Sequence, residues 1–262
     1  MDPYLTLLDN IDSFKVYCLL NDTCITEYMK RTNKLWEDWL EKYIKEAYIE
    51  NTNMIDIGAH IGTCALSMSK YISKNSNIYS FEPIYNKILL KNVLENNLTE
   101  QIKTFPIGLS NKSEIIKGEY IDFLEKRNYG FTQLDTLEKL DKMDEISNLC
   151  ISLETLDSFN IDNVSFIKID VEGSERMVLE GAINTIYKNC PTILIEIWCT
   201  AKSSIYNLNN EKNFYKIKKQ FDVFEFLFNM GYICFPVSPS SDDFLFIHHT
   251  KKTLINKIVN IL

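Results

Sequence analysis

The side chains best equipped for chemistry fall in two stretches of the chain and at two strand ends. The first stretch, Asn53 to Thr63, reads NMIDIGAHIGT. Met54, Ile55 and Ile57 around Asp56 predict a short buried strand, and Gly58 and Gly62 punctuate a turn. The period then changes: Ile61, Cys64, Ala65, Met68 and Ile72 share one face of a helix running to about Ser73. A strand, a glycine turn and a helix N-terminus in that order predict a cradle of free backbone N–H groups at the carboxyl edge of a parallel sheet. A pyrophosphate binder needs G-x-G-x-x-G, whose middle glycine lets the backbone close on the phosphate. Here the order is Gly58-Ala59-His60-Ile61-Gly62, so an imidazole crowds that approach and Asp56 adds a negative charge. The combination suits a cationic, phosphate-free nucleoside better than a dinucleotide.

The second stretch is Val164 to Glu175, VSFIKIDVEGSE. Strand alternation puts Phe166, Lys168 and Asp170 on one side, with Glu172 and Glu175 following around Gly173 at the next helix start. Two readings stay open: Lys168 pairs with a neighbouring acid because buried charges need partners, or Asp170 faces a cationic ligand while Glu172 and Glu175 face a substrate. The two strand ends are Glu82, which closes Ile78 to Phe81 before Pro83, and Glu196, which closes Thr192 to Ile197 before Trp198. An acid at the tip of a second strand is where a doubly wound nucleoside binder holds ribose hydroxyls.

These residues need a sheet to bring them together. Further strands are expected at Phe14 to Leu20, Ile102 to Pro106, Leu149 to Leu153, Tyr232 to Val237 and Phe244 to His248, with a turn over Ile107 to Ser110 whose Gly108 lets backbone lie against a flat base. Helices are expected over Leu35 to Ala47, after Pro83, from Gly173 through Tyr187, from Phe221 to Met230, and over the amphipathic tail LINKIVNIL. Between Glu114 and Asn148 the signal weakens to short β-like pieces, a loop NYGFTQLD and a charged run EKLDKMDEI that reads as a solvated helix.

Composition sets bounds. At 262 residues, 45% hydrophobic and 24% charged, the chain can bury the core of one α/β domain, divided as an N-terminal extension over 1–50, the main domain over 51–250 and a tail helix over 251–262. A net charge of −8 argues against a nucleic-acid partner, which needs a basic face. No membrane span or signal peptide is expected, which predicts a cytoplasmic protein. The seven cysteines include no C-x-x-C pair, arguing against a zinc site or a disulfide framework.

DIGAHIGTCALSMSK, YSFEP, NVLENNL, ETLDSF, IKIDVEGSERMVLEGA, PTILIEIW and DFLFI, in this order, resemble the FkbM family of S-adenosylmethionine (SAM) dependent methyltransferases. The resemblance spans Asn53 to Ile247 and leaves out the first fifty residues, Lys117 to Asn148 and Ala201 to Gln220, the parts expected to choose the acceptor. It implies a class I, Rossmann-like seven-stranded sheet, mostly parallel with an antiparallel last strand and helices on both faces. It also implies transfer of a methyl group to a hydroxyl. SAM is then expected on Asp56, Gly58, Ala59, His60, Gly62, Thr63, Glu82, Pro83, Gly108 and Asp170. Asp170, Glu172 and Glu196 are the expected catalytic residues, with Glu175 and His60 as further candidate bases. Asp170 and Glu196, ending neighbouring strands, could instead hold Mg²⁺. The acceptor is expected to be a small molecule or glycan, most readily a sugar or nucleotide sugar stacked on Trp36, Trp39, Trp198, Tyr129 or Phe131, with Lys126 and Arg127 receiving any phosphate. A monomer or homodimer is expected.

Overall fold

The computed structural model describes residues 2–118, 121–130, 149–197, 221–238 and 242–261. The chain opens with a hairpin, β1 (Leu5–Ile11) and β2 (Phe14–Leu19), antiparallel, of which the sequence announced only the second strand. Asp12 and Ser13 turn it with both φ angles positive, a conformation usually signalled by Asn-Gly or Asp-Gly, so the pattern gave no warning. The expected helix over Leu35 to Ala47 is a correction. Helix α1 (Ile25–Thr32) precedes it, Glu37 takes a left-handed backbone at φ 59, one 3₁₀ turn covers Asp38–Leu40, and α2 is only Glu41–Ala47. Glu37 thereby parts Trp36 from the helix, and only Trp39 packs on Tyr43 of α2.

The apolar runs then form strands and helices in alternation: β3 (Asn53–Ile57), α3 (Thr63–Ser69), β4 (Ile78–Phe81), α4 (Asn86–Glu95) and β5 (Ile102–Phe105). Gly108–Leu109, expected as a turn, is a short strand β6 in a small separate sheet with β7 (Glu114–Gly118) and β8 (Leu149–Glu154). The main sheet resumes with β9 (Val164–Ile169) and, after α5 (Glu175–Glu180) and α6 (Ile183–Asn189), β10 (Thr192–Glu196). The single helix expected from Gly173 through Tyr187 is thus two. The Asp157 carboxylate accepts the N–H groups of Asn184 and Thr185 at 2.9 and 2.8 Å, capping a new helix N-terminus where the first helix ends. A helix over residues 221–229, β11 (Tyr232–Pro236) and β12 (Asp243–His248) complete the sheet.

The seven strands lie in the order β11-β12-β10-β9-β3-β4-β5, with β12 antiparallel to both neighbours and β10 through β5 parallel. This is the class I methyltransferase arrangement of the sheet. One face buries Met54, Phe166, Leu194 and Leu245 against α2, α3 and α4, and the other buries Ile55, Ile167, Ile193 and Phe246 against α5, α6 and the 221–229 helix. The C-terminal helix Lys252–Val259 packs back on the first face through Ile258. The charged run EKLDKMDEI lies outside the described residues.

Parallel strands put their carboxyl ends on one edge, and Gly58 closes that edge. It follows β3 at φ 79, and a methyl group built on its Cα would stand 1.7 Å from the Asp170 carbonyl oxygen beyond β9. A methyl at Gly62 (φ 96) would meet only the end of the Leu89 side chain, at 2.5 Å, which can give way. Gly58→Ala should therefore lose well over about 3 kcal/mol of stability or fail to fold, whereas Gly62→Ala should lose roughly the 1–3 kcal/mol of a strained left-handed residue. Urea unfolding of the two variants checks the order; equal losses would mean that the Asp170 contact is not limiting.

Candidate functional site

Reading across the carboxyl edge, the strand tips present Glu196 after β10, Asp170 after β9, Gly58 after β3 and Glu82 after β4. They border a cavity of about 240 Å³. Of the expected cofactor contacts, Gly58, Ala59, His60, Thr63, Glu82, Pro83, Gly108 and Asp170 line it; Asp56 and Gly62 do not. Asp56 is fully buried behind the turn, opposite Lys168 in the strand register and with no hydrogen-bond partner on either oxygen. Burial pushes its carboxyl up to about 6, with the Lys168 charge working the other way. Gly62 is close-packed on α4 instead.

The expected cradle of free N–H groups is also a correction. Gly58 and Ala59 both donate to the Phe81 carbonyl, at 3.0 and 3.1 Å, and Gly62 donates to Ala59 at 2.8 Å. The His60 N–H donates to Glu82 Oε2 at 2.9 Å. The same carboxylate accepts the N–H groups of Ile84 and Tyr85 on Oε1, at 2.7 and 2.9 Å. Glu82 is only 5% exposed, so it is not a solvated strand end; it ties the glycine turn to the start of α4. With these four N–H groups donated within the protein, the turn itself has little to offer a phosphate, and the acids around it favour positive charge. His60 holds a positive φ of 50, its ring edge-on to Tyr85 at 4.3 Å. Burial holds the imidazole down at about 4, so it is neutral and a weak base.

The other half of the cavity is acidic. Asp170, Glu172 and Glu196 bring one oxygen each within 4.8 Å of one another. Lys168, 3% exposed, donates to Asp170 Oδ2 at 2.9 Å and pairs with Glu37 Oε2 at 3.3 Å. Burial works against charge on both Lys168 and Asp170, but their pairing outweighs it: Lys168 is held well above its ordinary value and Asp170 below. The remaining acids are raised, chiefly by burial and then by neighbouring charge. Glu196, hydrogen-bonded to Asp170, goes to about 10 and Glu172 to about 8; Glu37 goes to about 7, with Lys168 opposing. Glu172 Oε2 is buried and without a hydrogen-bond partner, on a backbone of positive φ. Glu175 does not line the cavity; it accepts the Gly173 N–H at 2.7 Å and closes the turn before α5.

Trp36 and Tyr129 line the cavity, whereas Trp39, Lys126 and Arg127 do not, and Phe131 and Trp198 lie outside the described residues. Glu37 is the charged residue that sequence reasoning missed. A glutamate within KLWEDWLEKY reads as the solvated side of an amphipathic helix, and its left-handed backbone leaves no trace in the pattern.

The site carries more carboxylate than its one lysine neutralises, and the folded state therefore holds protons that the unfolded chain would release. For an acid raised on folding, the folded state binds more protons above the unfolded value, so stability falls as pH rises toward the folded value. The ligand-free protein should lose melting temperature between about pH 5 and 9, at roughly 2–4 °C per kcal/mol for a domain of this size, and Glu196→Gln should flatten that slope. Thermal unfolding across this range checks it; a slope of opposite sign would mean that the cluster is ionised without penalty.

Comparison with known proteins places the chain in a family. The Methyltransferase FkbM domain matches residues 56–234. No curated protein matches the chain in sequence. Among solved structures, a methyltransferase FkbM from Methylobacillus flagellatus is 18% identical with a TM-score of 0.45, covering 79% of this chain and 50% of its own, so this chain spans about half of that protein's length. An O-methyltransferase from Bacillus cereus in complex with SAH (S-adenosylhomocysteine) is 13% identical with a TM-score of 0.42, covering 86% and 97%. A protein from Corynebacterium glutamicum is 8% identical with a TM-score of 0.51, covering 86% and 87%, and supports the fold alone.

Proposed function

The chain belongs to the FkbM methyltransferase family, and from that premise we propose that it is a SAM-dependent O-methyltransferase acting on a sugar hydroxyl, free or within a glycan. The observation that carries the reading is the division of the cavity. One half offers the Gly58–His60 turn, Glu82, Pro83 and Gly108. The other offers Asp170, Glu172 and Glu196, with Trp36 and Glu37 from the N-terminal segment also in the lining, while Tyr129 lies against Tyr85 on the His60 side. The donor set fits SAM: carboxylates and spent N–H groups suit a sulfonium and an ammonium, and Glu82 Oε2, accepting one N–H, keeps a lone pair for a ribose hydroxyl. When bound, the cofactor supplies a methyl group on a good leaving group, leaving the protein to align an oxygen and manage one proton; alignment is worth roughly 7–11 kcal/mol.

Glu172 is our candidate for the base. Its orphaned Oε2 faces no competing donor, and a carboxyl raised to about 8 is a stronger base than an ordinary glutamate once ionised, so the rate should rise with pH toward that value. Glu196 keeps its own proton in the hydrogen bond to Asp170 and so orients rather than accepts. The same acids suggest Mg²⁺, but Asp170 already holds the Lys168 ammonium, and we favour a reaction without metal. Residues 1–50 act in this reading as a cap, since Trp36 and Glu37 reach the cavity. Among the described residues no helix is long and apolar enough to cross a membrane.

Calorimetry should show binding of SAM and SAH with little response to NAD. Glu82→Ala should weaken binding by roughly 1.5–3 kcal/mol and lower the melting temperature, because three backbone N–H groups lose their acceptor. Tight NAD binding without SAM binding would overturn the cofactor assignment. Glu172→Gln should keep its affinity for SAH but lose roughly 10²- to 10⁴-fold in kcat. Exhaustive chelation should leave the wild-type rate intact; loss restored by Mg²⁺ would establish the metal reading instead. Mass spectrometry and NMR of products formed from labelled SAM and a sugar panel test the acceptor, and methylation confined to protein, nucleic acid or lipid hydroxyls would defeat the sugar assignment.

A further inference from the structure

Three candidate receivers of an anionic group on an acceptor are the N–H groups of the turn, the pair Lys126 and Arg127, and Lys168. The N–H groups of Gly58, Ala59, His60 and Gly62 are donated within the protein. Lys126 and Arg127 do not line the cavity, and the Arg127 guanidinium lies over the Tyr129 ring, 5.6 Å from its centre. That leaves Lys168, the only Lys or Arg side chain lining the cavity among the described residues. Its ammonium is 2.9 Å from Asp170 and 3.3 Å from Glu37. Asp170 sits two residues along the same strand edge, but Glu37 arrives from the N-terminal segment, outside the residues matched by the family, on a left-handed backbone that a glutamate adopts only when its surroundings hold it there. Its side chain is 14% exposed.

We propose that Glu37 sets the charge selectivity of the acceptor end of the cavity: by engaging Lys168 it withholds the one available cation, so that neutral or cationic hydroxyl compounds enter and phosphorylated or carboxylated ones are rejected. With Glu37 ionised, the Lys168 charge is outweighed by Asp170 and Glu37 together, while Glu196 keeps its proton and adds no charge. Like charge at such distances in a partly desolvated cavity opposes an anion strongly. Without the Glu37 charge, Lys168 keeps one carboxylate partner and regains charge to offer. The inference rests on the reading of this cavity half as the acceptor end, and it narrows the expected acceptors away from sugar phosphates, acidic sugars and any nucleotide sugar whose diphosphate must lie beside Lys168.

The local charge can be read without knowing the acceptor. Trp36 lines the cavity beside Glu37, and its emission is assigned as the part lost in Trp36→Phe. In the SAH-loaded protein at pH about 8.5, where Glu37 is ionised, caesium should quench this component about twofold or more better than iodide, and Glu37→Gln should raise iodide quenching by about twofold. Iodide outperforming caesium in the wild type overturns the proposal whether or not Glu37→Gln folds, and an unchanged ratio in a folded Glu37→Gln protein does the same. Methyl transfer to a hexose, its 2-amino analogue, its 6-phosphate and its uronic acid gives the second readout. Wild type should disfavour the two anionic sugars by about tenfold or more, and Glu37→Gln should narrow that gap. Equal use of all four would defeat charge selection while leaving sugar methylation standing. If none of the four is methylated, the sugar reading loses support, and the quenching ratio alone decides for or against Glu37.

Discussion

The whole site hangs on the close approach of the Gly58 backbone to Asp170. The Asp170 N–H donates to the Ile57 carbonyl at 2.9 Å, continuing the β3–β9 ladder past its last paired residues, while the Asp170 carbonyl fills the space where any side chain at position 58 would begin. Because those strands are central, this one contact fixes the distance between the glycine turn and the acids at the tips of β9 and β10. A side chain at position 58 would push the halves apart, and alignment between cofactor and acceptor is the quantity on which methyl transfer depends. Glu82 performs the complementary task on the other side of β3, holding the turn to α4 through three hydrogen bonds from one carboxylate.

The electrostatics follow from that geometry. Strand tips packed side by side place Glu196 next to Asp170, and the turns after β9 and before α2 add Glu172 and Glu37. Four buried or half-buried acids around one lysine cannot all ionise cheaply. Asp170 remains charged because Lys168 is against it, Glu196 keeps a proton shared with Asp170, and Glu172 and Glu37 fall between. Such an arrangement is costly to an empty protein and favourable once a cation arrives, so ligand binding recovers what folding gave up. It also separates acids of identical chemistry into different roles by their surroundings alone.

The sheet was legible in the sequence because its signals are local. Apolar runs placed β3, β4, β9, β10 and β12, helped by Gly58 and Pro83 after the first two and Pro191 before β10, and the acids Glu82, Asp170 and Glu196 at strand tips could be named before any coordinate was known. Three kinds of feature were not legible. The hairpin turn at Asp12 and Ser13 uses the left-handed region without glycine. The start of α6 is set by Asp157, a cap from a distant segment. The occupation of the turn's N–H groups by Phe81 and Glu82 is a tertiary fact that strand spacing does not record. Position in the motif also misleads about exposure: Asp56 and Gly62 belong to the most informative stretch, yet one lies behind the cavity and the other against α4.

The division of labour along the chain explains why acceptor chemistry is the hardest property to read. In the proposed reading the cofactor half is built from strand tips whose spacing is dictated by the sheet, so a short motif suffices to announce it. The half proposed for the acceptor borrows from the N-terminal segment, which supplies Trp36 and Glu37. Asp22, 3% exposed, accepts the N–H groups of Thr26 at 2.6 Å and Tyr129 at 3.2 Å, clasping the N-terminal segment to the 121–130 loop, and Trp36, Glu37 and Tyr129 line the same cavity. None of these residues belongs to the stretches around the glycine turn or Asp170. A wall assembled this way can change its charge and shape without disturbing the Gly58–Asp170 contact, and a fold that keeps methyl-transfer geometry on the sheet is thereby left able to vary acceptor choice in its attachments.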